Sequence, residues 1–228
     1  HELGLDRRTL IIFTGDNGTY VKIVSNLNGE KYPGGKGSTR DNGTHVPLVA
    51  SWPGTAAAGQ VSDALVDFSD ILPTLAEVGG ARLPSKLTYE GLSLAPLLEG
   101  KPFKGRDSIY CWYHRNGIRG KESQHTRDRE FKLYATGRYF NVAEDLLEKK
   151  PLETAALTGT GRSAYNSLKT ALARELEATR EATAALKKRG FGGAEKKQGK
   201  NKTNKAKNAE KKQAQKKEKK EKKEKSRD

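Results

Sequence analysis

The residues best suited to chemistry lie in two loops about twenty positions apart. Asp16 and Asn17 follow an apolar run at residues 10–13 and lie in the turn Gly15-Asp16-Asn17-Gly18. A carboxylate beside an amide oxygen suits a hard divalent cation, because Ca²⁺ and Mg²⁺ prefer oxygen ligands. Two donors do not complete a metal site, and an ordinary Asn-Gly turn is the alternative interpretation.

Lys36 lies among glycines, in the sequence Gly34-Gly35-Lys36-Gly37. Glycines let backbone amides approach a ligand closely, and the lysine places one cation beside them. This combination favours an oxyanion, which could be sulfate, phosphate or carboxylate. The alternative interpretation is a surface lysine in a flexible loop.

A second copy of Asp-Asn-Gly-Thr occupies residues 41–44, after the first at residues 16–19. Only the first copy directly follows an apolar strand, and ligands gather at the carboxyl edge of open α/β sheets. We therefore assign the metal to the first copy and a turn to the second. For the lone residues His45, His114, His125 and Cys111, we expect structural or solvated roles, with Cys111 a buried thiol.

The first half of the chain has the pattern of an α/β fold. Continuous apolar runs predict strands at residues 10–13 and 46–52, the first of the kind found in buried parallel sheets. The polar, Gly-rich stretch 21–35 has no clean period and predicts a loop. Residues 71–78 predict a helix capped by Ser69 or Asp70 and ended by Gly79-Gly80, and residues 91–98 predict a helical turn.

The second half has a different pattern. Short aromatic runs predict a small antiparallel sheet at residues 108–113, 130–135 and 139–142, and a narrow apolar stripe predicts a helix at 163–188. The predicted domains are residues 1–105 (α/β), 106–189 (small antiparallel sheet and helix) and 190–228, a disordered Lys-rich tail.

The charge of the chain is concentrated at its end. Residues 194–228 contain sixteen Lys or Arg against six Asp or Glu, out of a formal net charge of +15 for the chain. No apolar run approaches the roughly 18 residues of a membrane-spanning helix, and a single cysteine excludes an intrachain disulfide. The chain has no Met and begins with His1, so we expect a fragment of a longer protein.

Several segments follow one another in a recognisable order. They are FTGDNG at 13–18, GKGS at 35–38, DNGTHVPL at 41–48, WPG at 52–54, and the later stretches 67–74, 79–80, 91–100, 131–134 and 139–142. Taken in order, these segments resemble the C-terminal half of the type I, arylsulfatase-like sulfatases, over about residues 3–155. The resemblance implies an alkaline-phosphatase-like α/β sheet domain followed by a small subdomain.

The resemblance also implies site residues. Asp16 and Asn17 would be two protein ligands of an active-site Ca²⁺, and Lys36 would contact the oxygens of a sulfate ester. The family's nucleophile is a formylglycine made from a Cys or Ser in a Cys/Ser-x-Pro/Ala-x-Arg motif. Cys111 is followed by Trp112-Tyr113-His114 and is not that residue. We therefore expect no catalytic residue here, a nucleophile upstream, and a fragment that is inactive alone.

One departure from the family pattern lies in the second loop. The family has Glu-Gly-Gly-x-Arg before Val-Pro, whereas this chain has Asp41-Asn42-Gly43-Thr44-His45. This difference predicts a different substrate preference. By the same resemblance, we expect sulfated small molecules or glycans as partners and a periplasmic or secreted location.

Two other functions stay open at this point. A phosphoesterase of the same superfamily would use the same site geometry, because sulfate and phosphate esters have similar shapes. A polyanion-binding protein would act through the Lys-rich tail, although the tail lacks the interleaved aromatics that stack on bases. We expect no specific nucleic-acid partner and, at most, weak polyanion contact by the tail.

Overall fold

The computed structural model describes residues 2–116 and 122–189 of the chain. These residues form a mixed α/β structure. The chain divides into a compact unit His1–Glu175 and a second unit that begins at Leu176. The predicted Lys-rich tail at 190–228 lies outside the described residues, and so does Gly117 of the Asn116-Gly117 pair.

The described elements, in chain order, include eight strands and four α-helices. The strands are β1 Ile11–Thr14, β2 Val24–Leu27, β3 Glu30–Pro33, β4 Leu48–Ser51, β5 Ile109–Tyr113, β6 Ser123–Arg127, β7 Phe131–Tyr134 and β8 Tyr139–Asn141. The helices are α1 Asp41–Thr44, α2 Ile71–Val78, α3 Ala95–Leu98 and α4 Gly159–Lys188. Short 3₁₀ turns lie at Asp6–Arg8, Phe68–Asp70 and Thr154–Ala156.

The two strands β1 and β4 form an antiparallel pair, with Ile11 opposite Ser51 and Thr14 opposite Leu48. The expectation of a buried parallel strand was therefore wrong in both respects, since Ile11 is 60% exposed. A continuous apolar run does not specify pairing direction, and both directions use the same residues. The antiparallel register brings the end of β1 beside the start of β4, so the loops on either side meet at one edge.

Residues 21–35 were predicted to be a loop, and this prediction was wrong. β2 and β3 form a hairpin, in which Leu27 pairs with Glu30. The turn uses Asn28 at φ 52° and Gly29 at φ 85°, the left-handed conformations that a two-residue hairpin turn needs. The Asn-Gly pair could have revealed the hairpin, but the mostly exposed strands lack the apolar alternation that marks a half-buried sheet.

The small antiparallel sheet is confirmed and has the order β5-β6-β7-β8. Sequence reasoning missed β6, because Ser-Gln-His-Thr-Arg has no apolar residue. Thr126 of this strand is nevertheless buried, and its Oγ1 donates to the carbonyl of Leu168 at 3.0 Å. Leu168 and Leu172 are the buried face of α4, which starts four residues before the predicted helix and ends where predicted.

The helix α2 confirms the prediction for residues 71–78, but its capping differs. Asp67 caps the preceding 3₁₀ turn, with its side chain accepting from Ser69 N, while the side chain of Asp70 accepts from Asp67 N. This reciprocal capping box satisfies amides that a helix start leaves unpaired. Within the described part of the chain, no helix is long and apolar enough to cross a membrane.

Candidate functional site

The two chemistry-bearing loops are hydrogen-bonded to each other. Gly18 N donates to Gly43 O at 2.9 Å, and Lys36 N donates to Thr19 O at 3.0 Å. The turn that carries Asp16 and Asn17 therefore lies against the loop that carries Lys36. The structure brings the two backbone segments together at the edge where β1 ends and β4 begins.

Glycines make this close approach possible. A Cβ on Gly18 would overlap the carbonyl oxygen of Asn42, and one on Gly34 would overlap the carbonyl oxygen of Tyr20. A Cβ on Gly35 or Gly43 would likewise overlap neighbouring atoms of the same loops. From the sequence, we expect the glycines around Lys36 to let a ligand approach closely. In the structure they let the loop backbones approach one another.

Replacing Gly18 by alanine should destabilise the fold by about 1–3 kcal/mol, the usual range for overpacking a close contact. The new methyl group would also stand 2.7 Å from Gly43 Cα, and these backbone atoms cannot move aside as the end of a flexible side chain could. Urea unfolding of the variant measures the loss. Gly15→Ala is the matched control, because its Cβ would meet atoms no nearer than 3.5 Å. Equal stability losses in the two variants would contradict the close-approach argument.

Lys36 is exposed and lines a cavity of about 440 Å³. The wall also contains the cations Arg40 and Lys149, and no acidic side chain among the described residues lines it. Two buried oxygens of wall residues, Ser38 Oγ and Asn42 Oδ1, have no hydrogen-bond partner among the described residues. Buried polar atoms of this kind are costly unless water or a ligand satisfies them. Ser38 Oγ can donate to an anion, whereas Asn42 Oδ1 only accepts hydrogen bonds, so it is the three cations of the wall that suit the cavity to an anion.

Asp16 and Asn17 do not line this cavity. Asp16 is exposed, and Asn17 Nδ2 donates to Gly18 O at 3.3 Å, so its amide oxygen is the atom suited to a cation. No group of three or more His, Cys, Asp or Glu side chains that could hold a metal occurs within residues 2–116 and 122–189. The two donors fit Ca²⁺ in kind, but six to eight oxygens are typical of such a site.

We predicted a turn for the second Asp-Asn-Gly-Thr copy, but it forms the one-turn helix α1, and the first three residues of this helix are buried. Asp41 pairs with the guanidinium of Arg127, and its Oδ2 lies 3.0 Å from Nδ1 of His45. Burial alone would raise the pKa of Asp41, but the hydrogen bond from His45 and the charge of Arg127 lower it. The hydrogen bond to Asp41 raises the pKa of His45. Asp41 therefore anchors the Lys36 loop to strand β6.

A buried polar cluster anchors the same loop to strand β7. Lys132 Nζ donates to the carbonyl of Thr39 and lies 2.8 Å from Glu148 Oε1. The hydroxyl of Tyr134 lies 2.5 Å from Glu148 Oε2 and 3.2 Å from Thr39 O. The side chains of Lys132 and Glu148 are 0% and 2% exposed. Desolvation lowers the pKa of Lys132, against the opposing charge of Glu148.

Sequence reasoning missed this cluster. Lys132 lies in a strand where alternation would place it on the solvent side, and nothing in the sequence pairs it with Glu148. Glu148 has φ 53°, a left-handed conformation that is uncommon for a residue with a side chain. The sequence of residues 145–150 gives no indication of this conformation.

Two of the lone residues, His125 and Cys111, lie in the small sheet. His125 is 2% exposed, and burial lowers its pKa well below the usual range. Cys111 is half-buried rather than fully buried and lies opposite His125 in the sheet. Burial raises the pKa of its thiol, which disfavours the thiolate that a nucleophile needs.

Comparison with known proteins indicates similarity to sulfatases. A family profile described as Sulfatase matches residues 1–81. Human steryl-sulfatase is 38% identical over 127 residues, which are 52% of this chain and 22% of that protein. Human arylsulfatase A is 41% identical over 112 residues, 49% of this chain and 22% of that protein. The ulvan-active sulfatase of Formosa agariphila is 30% identical over 150 residues, 64% of this chain and 27% of that protein.

Solved structures agree with this similarity. The PsFucS1 sulfatase from Pseudoalteromonas sp. is 26% identical with a TM-score of 0.55, over 75% of this chain and 38% of that one. Ps i-CgsB, solved in complex with k-i-k-neocarrahexaose, is 27% identical with a TM-score of 0.54, over 74% and 36%. The chain spans about a fifth of the length of the curated relatives named first. Residues 1–81 match the Sulfatase family, and the curated relatives named here are sulfatases that align with about half of this chain or more.

Proposed function

We propose that this chain supplies the metal-binding and sulfate-binding part of a sulfuric ester hydrolase. Lys36 contacts the oxygens of the sulfate group, and Asp16 and Asn17 provide two oxygen ligands of a Ca²⁺ ion. The observation that carries the proposal is the direct hydrogen bonding between the two loops, Lys36 N to Thr19 O and Gly18 N to Gly43 O. This bonding supports placing a metal and an ammonium group around one anion.

The chemistry agrees with these roles. Ester hydrolysis concentrates negative charge on the sulfate oxygens, and a fixed cation lowers the energy of that charge. When bound, Ca²⁺ would add Lewis-acid stabilisation to the same oxygens. The work of this chain is to hold Lys36 in place through Thr39 and Asp41, and to line the anion cavity with cations. The remaining ligands and the nucleophile would come from outside these residues.

The substrate class follows from the cavity and the relatives. The cavity wall carries Lys36, Arg40 and Lys149, and the part of the chain that the structure describes adds no carboxylate to it. This lining favours an anionic ligand over a neutral one. The relatives include an ulvan-active sulfatase and a protein crystallised with k-i-k-neocarrahexaose. We therefore propose a sulfated glycan as the substrate. The α/β sheet of an alkaline-phosphatase-like domain, completed by the rest of the protein, is the proposed setting for the site.

In the full-length enzyme that contains this chain, Lys36→Ala should lower kcat/KM for an aryl sulfate by about 10²–10³-fold, as loss of one charge-stabilising donor does. Steady-state kinetics measures the effect, and Lys36→Arg should restore part of it. Lys31→Ala is the control, because Lys31 is exposed on β3 outside the cavity. An unchanged kcat/KM in Lys36→Ala would refute the sulfate-binding role.

The purified 228-residue chain should not hydrolyse an aryl sulfate. The sequence contains no Cys/Ser-x-Pro/Ala-x-Arg motif, and its one cysteine precedes Trp112. A chromogenic sulfate assay with and without added Ca²⁺ checks this expectation. Turnover above the buffer background, and absent from Lys36→Ala, would overturn the proposal that the nucleophile lies elsewhere.

A phosphoesterase of the same superfamily is the second candidate, since the anion cavity does not itself separate sulfate from phosphate. The ratio of aryl sulfate to aryl phosphate hydrolysis by the full-length enzyme decides between them. A formylglycine in that enzyme, detected by mass spectrometry, would favour the sulfatase. Binding of polyanions by the Lys-rich tail remains a third proposal, and it concerns residues outside the described part of the chain.

A further inference from the structure

A second cavity adjoins the first, across the loop segment that follows Lys36. It has a volume of about 420 Å³, and both cavities share Gly37, Ser38 and Arg40 in their walls. Each volume lies in the range of small-ligand sites. The second cavity opens between this loop and the small sheet, and its wall includes Arg115 and Arg138.

Both cavities are strongly basic. The cations in their walls are Lys36, Arg40, Arg115, Arg138 and Lys149. All five are exposed, and none forms an ion pair within the described part of the chain. Among residues 2–116 and 122–189, the one carboxylate in either wall is Glu148, whose charge is already matched by Lys132. Exposed cations in adjoining clefts create a positive potential that attracts anions.

Arg138 is held in place by stacking. Its guanidinium lies 4.8 Å from the ring centroid of Phe140 and 5.9 Å from that of Tyr134. Both rings belong to the buried core, so they form a fixed platform. An arginine fixed in this way loses less conformational entropy when it binds an anion.

We propose that the two cavities form one continuous track for a linear sulfated oligosaccharide, with anionic groups on at least two adjacent sugars. One sulfate occupies the cavity of Lys36, and a second anionic group lies in the cavity of Arg138. Arg40 stands between them and contacts both. The choice of a sulfated sugar as the occupant rests on the proposed function, whereas the two-cavity track rests on the geometry alone.

A nucleic acid fits the second cavity less well. Binding of single strands depends on exposed aromatic faces on which bases stack. Tyr134 in this wall is 8% exposed and is covered by Arg138, and Tyr113 is half-buried. The track therefore offers cations but, among its described tyrosines, no open aromatic face on which a base could stack. This lining suits sulfated sugars better than bases.

Protection footprinting on the full 228-residue chain tests the track, because it reads each residue separately from the Lys-rich tail. A heparin hexasaccharide is the probe. Lys36 and Lys149 are followed by acetylation, Arg40 and Arg138 by an arginine-specific reagent, and peptides are quantified by mass spectrometry. We expect at least threefold slower modification at all four residues, and no change at the exposed controls Arg82 and Lys86. A monosulfated monosaccharide should protect only the Lys36 cavity.

Three outcomes would overturn the proposal. Protection confined to tail lysines would mean that the cavities do not bind polyanions. Protection of Lys36 without Arg138 would leave a single anion site. Equal protection by a single-stranded DNA of matched charge would mean that the track recognises charge and not sugar. Any of these can occur while Lys36→Ala still impairs the full-length enzyme, so the proposed function is tested separately.

Affinity measurements give an independent check. Arg138→Gln should weaken hexasaccharide binding and reduce by about one the number of ions released, read from the slope of log affinity against log salt. Arg82→Gln should leave both values unchanged. Unchanged affinity and slope in Arg138→Gln would also overturn the proposal.

Discussion

Replacing Lys132 by methionine should lower the free energy of unfolding by about 3–5 kcal/mol, the usual cost of breaking a buried ion pair from one side. The ammonium group is 0% exposed and balances Glu148, which is 2% exposed. Without it, the carboxylate is buried next to Tyr134 with no cation, and the carbonyl of Thr39 loses its charged donor. Urea or thermal unfolding measures the loss.

Two further variants give this prediction its controls. Lys132→Met combined with Glu148→Leu should recover much of the loss, because replacing both partners removes the unpaired charge. Lys150→Met, at an exposed position near Glu148, should change stability by less than about 0.5 kcal/mol. A Lys132→Met loss no larger than that of Lys150→Met would show that the buried pair contributes nothing.

Replacing Asp70 by alanine should cost a similar amount, about 3–5 kcal/mol. Asp70 is 1% exposed. Its carboxylate accepts from Asp67 N at 2.9 Å and from Leu92 N at 2.7 Å, and it pairs with the guanidinium of Arg106. Truncation leaves two amides without their acceptor and leaves the guanidinium of Arg106 with Asp67 as its remaining partner, at 3.3 Å, and unsatisfied buried groups are expensive. Chemical unfolding of the full chain measures the effect.

The same region offers graded controls for Asp70. Asp70→Asn keeps an acceptor and should lose less than Asp70→Ala. Asp67→Ala removes a cap whose side chain is 30% exposed and should cost about 0.5–2 kcal/mol. Asp63→Ala, at an exposed position, should be nearly neutral. The argument fails if Asp67→Ala is more costly than Asp70→Ala.

Local patterns were enough to predict many elements of the fold. The apolar runs gave β1 and β4, the capped apolar segment gave α2, and the aromatic runs with their turns gave three of the four strands of the small sheet. These features depend on neighbours in sequence, and their periodicity is preserved in the structure. The pairing direction of β1 and β4 depends on partners distant in sequence, and no local pattern encodes it.

The candidate site was predictable only in its residue types. The glycines around Lys36 predict an anion-binding loop, and the resemblance to sulfatases predicts Asp16 and Asn17 as metal ligands. Nothing in the sequence indicated that Asp41 pairs with Arg127, 86 positions away, or that Lys132 reaches Thr39. Such pairs form because the fold brings buried charges together, and a buried charge must then find a partner.

The tether between Thr39 and strands β6 and β7 has a consequence for engineering. The backbone carbonyl of Thr39 is held by Lys132 and Tyr134, and its hydroxyl lies 2.8 Å from Ser123 Oγ. Gly34, Gly35 and Gly43 leave no space for added side chains, and Gly37 has the left-handed φ of 88° that disfavours them. A mutant library designed to alter selectivity would therefore gain more from randomising surface positions of the small sheet than from diversifying the glycine-rich segment.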